Sequence, residues 1–246
     1  MGHIAKLVCL IQARRNSYRL QSKILLKIGD KTMLSHVVER CQAIRERFPV
    51  YVITPPCDLD LYPGAIAPPC LPDDVLRRHL IAALETGADA VMRVTSDCPF
   101  MDPEAAREVL SAFEGGHYDY VANDLVKTYP DGLGVEIITT EALAYADSHL
   151  PPDAVERAHC TPYIIRHLRG NPCSSRGNPQ GHQLFEGLNI RCPSLGLQDI
   201  KLSVDTPEDL ALARAIYAVP PRSTALVDTL VAYRKVIDGK TKDIAG

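Results

Sequence analysis

The sequence predicts an α/β fold in which a mainly parallel sheet is covered by helices on both faces. Short apolar runs alternate with segments of helical periodicity along most of the chain, which is the pattern of layered strands and helices. Hydrophobic residues make up 46% and charged residues 23%, as in ordinary globular proteins. A chain of 246 residues can bury a substantial core by packing alone. The length permits one large domain or two small ones. Because the predicted strands that begin at Ala90 and Ile200 should both contribute to one sheet, we expect a single domain over residues 1–246, with its core at about 6–218.

Strands are predicted where apolar residues run together between turn residues. In chain order these runs are 7–13, 50–54, 90–95, 118–123, 135–139, 184–191 and 200–204. The segment 55–72 contains six prolines, so it is expected to be a rigid excursion over the surface with room for one short strand at 65–67. Ordered loops of this length are often functional.

Helices are predicted where apolar residues recur every three or four positions. Two helix starts carry capping signals: Asp102 precedes a proline, and Thr206 precedes a proline with Asp209 three residues further on. The predicted helices are 32–48, 73–86, 102–114, 141–149, 153–168, 206–218 and 224–237. The polar, glycine-rich stretch 170–182 is expected to be an exposed loop.

Charge and cysteine usage exclude several classes of function. The formal net charge is −3, so the chain lacks the basic surplus of a nucleic-acid-binding domain. No stretch approaches the roughly 20 apolar residues of a membrane span. The eight cysteines form no C-x-x-C pair and most lie inside apolar runs, which favours reduced thiols in a cytoplasmic protein. We expect small-molecule partners, with neither nucleic acid nor membrane among them.

The loop after the first strand is the first candidate site. Four cations, Arg14, Arg15, Arg19 and Lys23, fall within ten residues there. Ligands of open α/β sheets bind beyond the carboxyl ends of the strands, and a cationic loop at such an end suits a nucleoside triphosphate. The G-x-x-x-x-G-K phosphate motif is absent. A loop with this composition is also typical of a solvated surface, so spacing alone leaves both interpretations open.

Two carboxylates form the second candidate site. Asp97 and Asp205 each follow a predicted strand, so both are expected at one edge of the sheet. One or two carboxylates, with water and substrate phosphates, are sufficient ligands for Mg²⁺. Taken singly, Asp97 also fits a turn and Asp205 a helix cap beside Thr206.

Several motifs along the chain resemble the cytidylyltransferase family, in particular its SpsF-like spore-coat polysaccharide branch. They are Ile11-Gln12-Ala13-Arg14 with Ser17, Arg19-Leu20 and Lys23, then Arg93 to Pro99, Pro130-Asp131-Gly132, and Val204 to Leu210. The resemblance runs in order from about residue 6 to residue 218. That family includes the enzymes that make CMP-sialic acid and CMP-3-deoxy-manno-octulosonate.

The resemblance implies a Rossmann-like nucleotidyltransferase that moves CMP from CTP to a sugar or sugar acid for surface polysaccharide synthesis, with release of pyrophosphate. It places Mg²⁺ on Asp97 and Asp205, and it gives catalytic roles to these two residues, Arg14 and Lys23. The nucleotide-binding positions it implies are Gln12, Ala13, Arg14, Arg19, Lys23, Thr54, Asp74 and Ser96. Asp74 also opens a predicted helix, where capping is its ordinary task.

The resemblance also implies an acceptor site and a homodimer. The implied acceptor-binding residues are Arg93, Asn123, Asp131, Glu136, Glu156, Arg157 and His159. The last three lie on a predicted helix, where charges commonly form a solvated face or pairs along the helix. A partner chain is expected to contact the acceptor pocket through the segment from Pro130 to about Leu168.

The chain departs from the family pattern at Asn16, Gln21, Ser22, Ser96 and Gly134. The first four positions replace permissive or turn-forming residues of the nucleotide loops. Gly134 stands where the pattern has an acidic residue, which leaves the acceptor open. Two rival functions keep this fold: transfer of another nucleotide or to a non-sugar acceptor such as a phosphonate, and nucleotide binding without catalysis.

Overall fold

The computed structural model describes residues 6–169, 183–220 and 223–245. The predicted loop 170–182 lies outside the described residues. The strands are β1 (Leu7–Gln12), β2 (Lys27–Ile28), β3 (Lys31–Thr32), β4 (Val50–Ile53), β5 (Ala90–Thr95), β6 (Tyr120–Ala122), β7 (Glu136–Thr139) and β8 (Gly187–Asn189). The α-helices are α1 (Met33–Gln42), α2 (Val75–Thr86), α3 (Pro103–Glu114), α4 (Thr140–His149), α5 (Pro162–Arg166), α6 (Pro207–Ala218) and α7 (Leu226–Ala245). Short 3-10 helices cover Lys23–Leu25, Pro56–Leu61 and Val155–His159.

Six strands in the described part of the chain form the central sheet, in the order β4-β1-β5-β7-β6-β8. β7 is antiparallel to both of its neighbours, and the other described pairings are parallel, so the predicted mainly parallel sheet is confirmed. Gln12 is in register with Ile53 of β4 and with Thr95 of β5. The carboxyl ends of these three strands are therefore level, and the loops that follow them meet at one edge of the sheet.

The core has a layer on each face of the sheet, because successive residues of a strand point to opposite faces. Cys9 and Ile11 of β1 pack on the side of α1 and α3, whereas Val8 and Leu10 pack on the side of α2 and α4. Each fully buried side chain of this size contributes about 1.5–3 kcal/mol. A third cluster joins α6 and α7 to the β2-β3 hairpin. The two strands of this hairpin were not predicted from the sequence.

Side-chain caps fix where the helices begin. Asp102 accepts a hydrogen bond from the backbone of Glu104, and Thr206 and Asp209 form the predicted reciprocal capping box of α6. Thr32 and Thr139 cap α1 and α4 in the same way. Each such cap is worth about 1 kcal/mol.

Two predicted elements are wrong. The helix 153–168 is divided into Val155–His159 and α5, because Cys160 has a φ of +68° and Pro162 lacks the N–H that a continuous helix needs. The run 200–204 is not a strand of the sheet; among the described residues it forms a single bridge, from Lys201 to Asp131. Val204 nevertheless donates its N–H to the carbonyl of Asp97, so this segment still reaches the sheet edge.

Other boundaries differ from expectation by a few residues. The predicted strand 184–191 contracts to β8, the short strand 65–67 becomes a single bridge between Ile53 and Ile66, and α7 extends to Ala245. Among the described residues, no helix combines the length and apolar character that a membrane crossing requires. The single-domain assignment stays a prediction.

Candidate active site

A cavity of about 240 Å³ opens at the carboxyl ends of β1 and β5. The loop between β1 and the 3-10 helix Lys23–Leu25 forms one wall, and the turn after β5 forms another. The lining residues are Gln12, Arg14, Asn16, Ser17, Tyr18, Arg19, Lys23, Ile24, Thr95, Ser96, Asp97 and Asp205. The fold thus brings the cationic loop and both candidate carboxylates to one opening.

Lys23 joins the two carboxylates at the floor of this cavity. Its Nζ donates to Oδ2 of Asp97 at 2.8 Å, to Oδ1 of Asp205 at 2.9 Å and to the carbonyl of Val204 at 2.9 Å. Only 12% of the Lys23 side chain is exposed. Two carboxylates 108 positions apart in the chain therefore converge on a single cationic centre.

Charge holds this centre together against the cost of burial. Burial disfavours the ammonium form of Lys23, but Asp97 and Asp205 outweigh it, so the pKa of Lys23 is raised. Burial also opposes ionisation of Asp97, and Lys23 overcomes it, so the pKa of Asp97 is lowered. Lys23 and Asp97 are consequently both charged at neutral pH.

The backbone around each carboxylate is fixed by local contacts. Asp97 directly follows β5, and its carbonyl accepts the N–H of Val204. Asp209 accepts hydrogen bonds from the backbone of Asp205 and Thr206 and forms an ion pair with Lys201 at 2.5 Å. The capping box of α6 therefore also sets the position of Asp205, so the cap and site interpretations of this segment are compatible.

The other loop cations are more exposed. Arg19 forms an ion pair with Asp205 at 2.9 Å while 66% of its side chain stays exposed. Arg14 pairs with Asp73 at 3.1 Å, and both side chains are largely open to solvent. Arg15 does not line the cavity and pairs with Asp60 on the surface. Three of the four loop cations thus face the cavity.

The remaining predicted nucleotide-binding residues divide into two groups. Gln12 and Ser96 line the cavity, and Ala13 is buried beside it with its N–H bonded to the carbonyl of Ile53. Thr54 is fully buried, and among the described residues its hydroxyl has no hydrogen-bond partner. Asp74 lies outside the cavity lining, where it caps α2 and accepts a hydrogen bond from Arg157.

Arg93 and Glu136 form a buried ion pair across β5 and β7. The hydroxyl of Tyr120 donates to Oε1 of Glu136 at 2.5 Å, and Nη2 of Arg93 reaches Oε1 of Gln12 at 3.4 Å. Burial opposes the charge on Arg93, but Glu136 outweighs it and the pKa of Arg93 is raised. This pair lies next to the cavity and is connected to it through Gln12.

Two other predicted acceptor residues support a loop. The side-chain amide of Asn123 donates from Nδ2 to the carbonyl of Leu133, and its Oδ1 accepts the N–H of Val135. Its nitrogen and its oxygen are therefore both hydrogen-bonded to the backbone of the loop. Asp131 accepts a hydrogen bond from the hydroxyl of Ser203 at 2.9 Å. Neither residue lines the cavity.

The cluster Glu156, Arg157 and His159 also lies outside the cavity lining. Arg157 is buried and forms ion pairs with Asp74, at 3.0 Å, and with Asp147. Glu156 pairs with Arg166 at the surface, and His159 is exposed. The acceptor roles of these residues stay predictions.

Comparison with known proteins identifies the family. Residues 12–158, more than half of the chain, match the family described as the MobA-like NTP transferase domain. The chain belongs to this family. The 3-deoxy-manno-octulosonate cytidylyltransferase of Anaeromyxobacter sp. (strain K) is 26% identical, over 89% of this chain and 99% of that protein. The spore coat polysaccharide biosynthesis protein SpsF of Bacillus subtilis is 24% identical, over 85% of each chain.

Solved structures give the same fold for this NTP transferase. A cytidylyltransferase from Leptospira borgpetersenii superposes with a TM-score of 0.79 at 24% identity, covering 95% of each chain. The predicted nucleotidyltransferase fold, the resemblance to cytidylyltransferases and the class of enzyme are confirmed by these comparisons.

Sequence reasoning missed several residues of the NTP transferase cavity. Tyr18, Ile24 and Thr95 line it but were not selected as ligands, although Tyr18 lies in the cationic loop and Ile24 directly follows Lys23. Asp124 was also missed. Its Oδ2 lies 2.8 Å from the point that a Cβ on Gly134 would occupy, so the carboxylate fills the space that the missing side chain leaves. Asp124 and Gly134 are ten positions apart in an irregular segment, so no periodic pattern in the sequence indicates that they are in contact.

The residues of this NTP transferase fit a Mg²⁺ ion. Within the described residues there is no cluster of three or more His, Cys, Asp or Glu that could hold a metal alone. Asp97 and Asp205, however, already direct one oxygen each at a single cation, the Nζ of Lys23. Two carboxylates completed by water and phosphate oxygens are the usual protein site for Mg²⁺.

Proposed function

We propose that this NTP transferase moves the cytidylyl group of CTP to a sugar or sugar-acid acceptor and releases pyrophosphate, in surface polysaccharide synthesis. The observation that carries the proposal is the convergence of three loop cations and two carboxylates on one cavity at the strand ends. A triphosphate needs this combination, because its negative charge must be held both by fixed donors and by a metal.

The loop residues bind and orient the phosphates in this proposal. Arg14 and Arg19 carry exposed guanidinium groups at the cavity mouth, each with donors free to form paired contacts with phosphate oxygens. Lys23 lies deeper, where its charge neutralises the negative charge that grows on the leaving pyrophosphate. The acceptor oxygen attacks phosphorus in line with that leaving group, so positioning and charge supply most of the rate.

Asp97 and Asp205 would hold Mg²⁺, which when bound neutralises phosphate charge and fixes the triphosphate geometry. Their own contribution is to direct carboxylate oxygens to one point from two separate segments. Asp209 of the α6 capping box accepts the N–H of Asp205 and so fixes the backbone that carries this carboxylate. No side-chain nucleophile is needed, because the acceptor supplies the attacking oxygen.

The choice of cytosine and of a sugar acceptor is supported by the relatives. A 3-deoxy-manno-octulosonate cytidylyltransferase and SpsF both align over most of the chain. The pair Arg93–Glu136 lies beside the cavity and offers the polar surroundings that a sugar requires. The homodimer and the cytoplasmic location stay predictions.

Pyrophosphate release tests this proposal. The purified protein is given CTP, UTP, ATP or GTP with Mg²⁺ and a panel of neutral sugars, amino sugars, sugar acids and phosphonates. We expect release with CTP and a sugar or sugar acid, and none after Mg²⁺ is removed with a chelator. Thermal shift with each nucleotide gives an independent measure of binding, since a ligand stabilises in proportion to its occupancy of the folded protein.

The panel separates the rival functions. Pyrophosphate release with another nucleotide, or only with phosphonates, would show that the protein catalyses nucleotidyl transfer with substrates other than those proposed. Stabilisation by CTP without release across the whole panel would indicate a nucleotide-binding protein without catalysis.

A further inference from the structure

All three N–H donors of Lys23 are directed at acceptors around the carboxylate pair. An ammonium group has three N–H donors. Here they are directed at Asp97, Asp205 and the carbonyl of Val204, at 2.8, 2.9 and 2.9 Å. The side chain is mostly buried, so water replaces none of these partners readily. Any phosphate that binds Lys23 must therefore displace one of the three acceptors.

Asp205 is surrounded by further cations. Arg19 contacts its Oδ1 at 2.9 Å, and Lys201 lies 3.4 Å from its Oδ2. Both oxygens of Asp205 thus face positive charge before any metal arrives. A divalent cation that enters alone would meet three positive groups and would have to move Lys23 away from both carboxylates.

A triphosphate changes this balance. It supplies acceptor oxygens for Lys23 and Arg19, so these cations can leave the carboxylates without losing their charge partners. The two carboxylate oxygens released by Lys23 then face the space that its Nζ occupied. The same atoms can hold an ammonium or a metal ion, and they cannot hold both at full strength because like charges repel.

We propose that Lys23 is the resident counter-ion of the Asp97–Asp205 pair, and that it makes divalent-cation binding depend on the triphosphate. The metal enters together with, or after, the nucleotide, and free metal binds weakly. This inference rests on the proposed function for the nature of the triphosphate. The competition between Lys23 and the metal needs only the carboxylate pair.

Manganese binding without nucleotide tests the competition. Free Mn²⁺ is measured by electron paramagnetic resonance in the presence of the wild-type protein, Lys23→Met, and the double variant Lys23→Met/Asp205→Asn. Lys31→Met is the matched control, because Lys31 forms an ordinary surface ion pair with Glu39. We expect Lys23→Met to bind one Mn²⁺ at least about tenfold more tightly than wild type, since the ammonium that Asp97 and Asp205 share is then gone and only Arg19 and Lys201 still oppose the metal, at Asp205. The double variant and the control should not gain affinity.

A second arm adds CTP to the wild-type protein, which should then take up one Mn²⁺. Circular dichroism checks that each variant is folded, and Lys23→Gln replaces Lys23→Met if the latter is not. Equal Mn²⁺ affinity of wild type and a folded Lys23 variant would overturn the inference. Tighter Mn²⁺ binding by the variant, with no effect of CTP on wild type and no pyrophosphate release, would instead overturn the proposed function and leave the counter-ion role intact.

Discussion

The two sides of the sheet edge use charge in different ways. On the proposed nucleotide side, Arg14, Arg19 and Lys23 face a cavity, and two of these three side chains are largely exposed. On the proposed acceptor side, the buried guanidinium groups of Arg93 and Arg157 are paired with carboxylates of the same chain. Charge at the cavity is within reach of a ligand, whereas removal of one member of a buried ion pair away from the cavity leaves an uncompensated charge that destabilises the fold. Substitutions on the two sides should therefore fail in different assays.

The largest effect is expected from Arg157→Leu on the acceptor side. The change leaves Asp74 buried without its cation, and Asp147 keeps only the 3.8 Å ion pair with Arg77. Breaking a buried ion pair from one side costs about 3–5 kcal/mol of unfolding free energy. Urea unfolding measures it, with Arg166→Leu as the control, because Arg166 pairs at the surface where a pair is worth about 1 kcal/mol or less. Equal losses in the two variants would show that the buried cluster is not structural.

On the nucleotide side, Asp205→Asn should reduce turnover and spare the fold. Lys23 keeps Asp97 and the Val204 carbonyl as partners, so the protein stays folded. Loss of one group that serves to stabilise the charge of the transition state, here a carboxylate that would hold Mg²⁺, typically lowers kcat by about 100-fold. Pyrophosphate release and urea unfolding are compared with Asp199→Asn, an exposed aspartate away from the cavity. Full turnover of Asp205→Asn would refute its assignment as a metal ligand.

A smaller effect is expected from Thr206, which both caps a helix and adjoins the carboxylate of Asp205. Thr206→Ala removes the cap of α6 and should cost about 1 kcal/mol of stability, as should Thr32→Ala in α1. Only the first of these caps adjoins Asp205. We expect Thr206→Ala, and not Thr32→Ala, to raise the Mg²⁺ concentration needed for half-maximal pyrophosphate release. The same requirement in both variants would show that the cap does not position the carboxylate.

The smallest effect concerns pH on the acceptor side. Burial of its carboxyl group, followed by the charge of Glu136, raises the pKa of Asp124 from 3.8 to about 7, although the residue keeps an exposed surface. Between these values the folded protein retains a proton that the unfolded chain has released, so this residue lowers stability as pH rises from 4 to 7. Asp124→Asn should therefore gain stability over wild type at pH 8 and show no gain at pH 4. Solvent screening keeps the gain well below the full value of the shift.

Urea unfolding at the two pH values measures this difference. Asp153→Asn, an exposed aspartate in the loop after α4, is the control and should show no pH-dependent gain. An Asp124→Asn variant that is less stable than wild type at pH 8 would contradict the account of the acceptor side.

Local signals predicted the elements, and long-range contacts set the exceptions. The caps at Asp102 and Thr206 were predicted correctly because they depend on residues only two or three positions apart. The antiparallel pairing of β7 with β5, which places Glu136 opposite Arg93, depends on strand order, and no local pattern encodes it. The predicted helix 153–168 was wrong because Cys160 has a φ of +68°, which ends the helical conformation there, and the next helix begins at Pro162.

The sequence predicted most residues of the candidate site, but it did not predict which side chains contact one another there. The cationic loop and the two aspartates were selected from strand ends, and the cavity brings them together. Asp205 reaches the edge although the segment before it is not a strand, because Val204 bonds directly to the backbone of Asp97. The buried pairing of Arg157 with Asp74 spans 83 positions and could not be inferred from either helix alone.

A crystal structure of the protein with CTP and Mg²⁺ tests the central claim most directly. The account predicts that the triphosphate lies in the cavity against Arg14, Arg19 and Lys23, that Nζ of Lys23 has left at least one of its carboxylates, and that Mg²⁺ lies between Asp97 and Asp205. A nucleotide bound elsewhere, or a metal bound while Lys23 still bridges both aspartates, would contradict it.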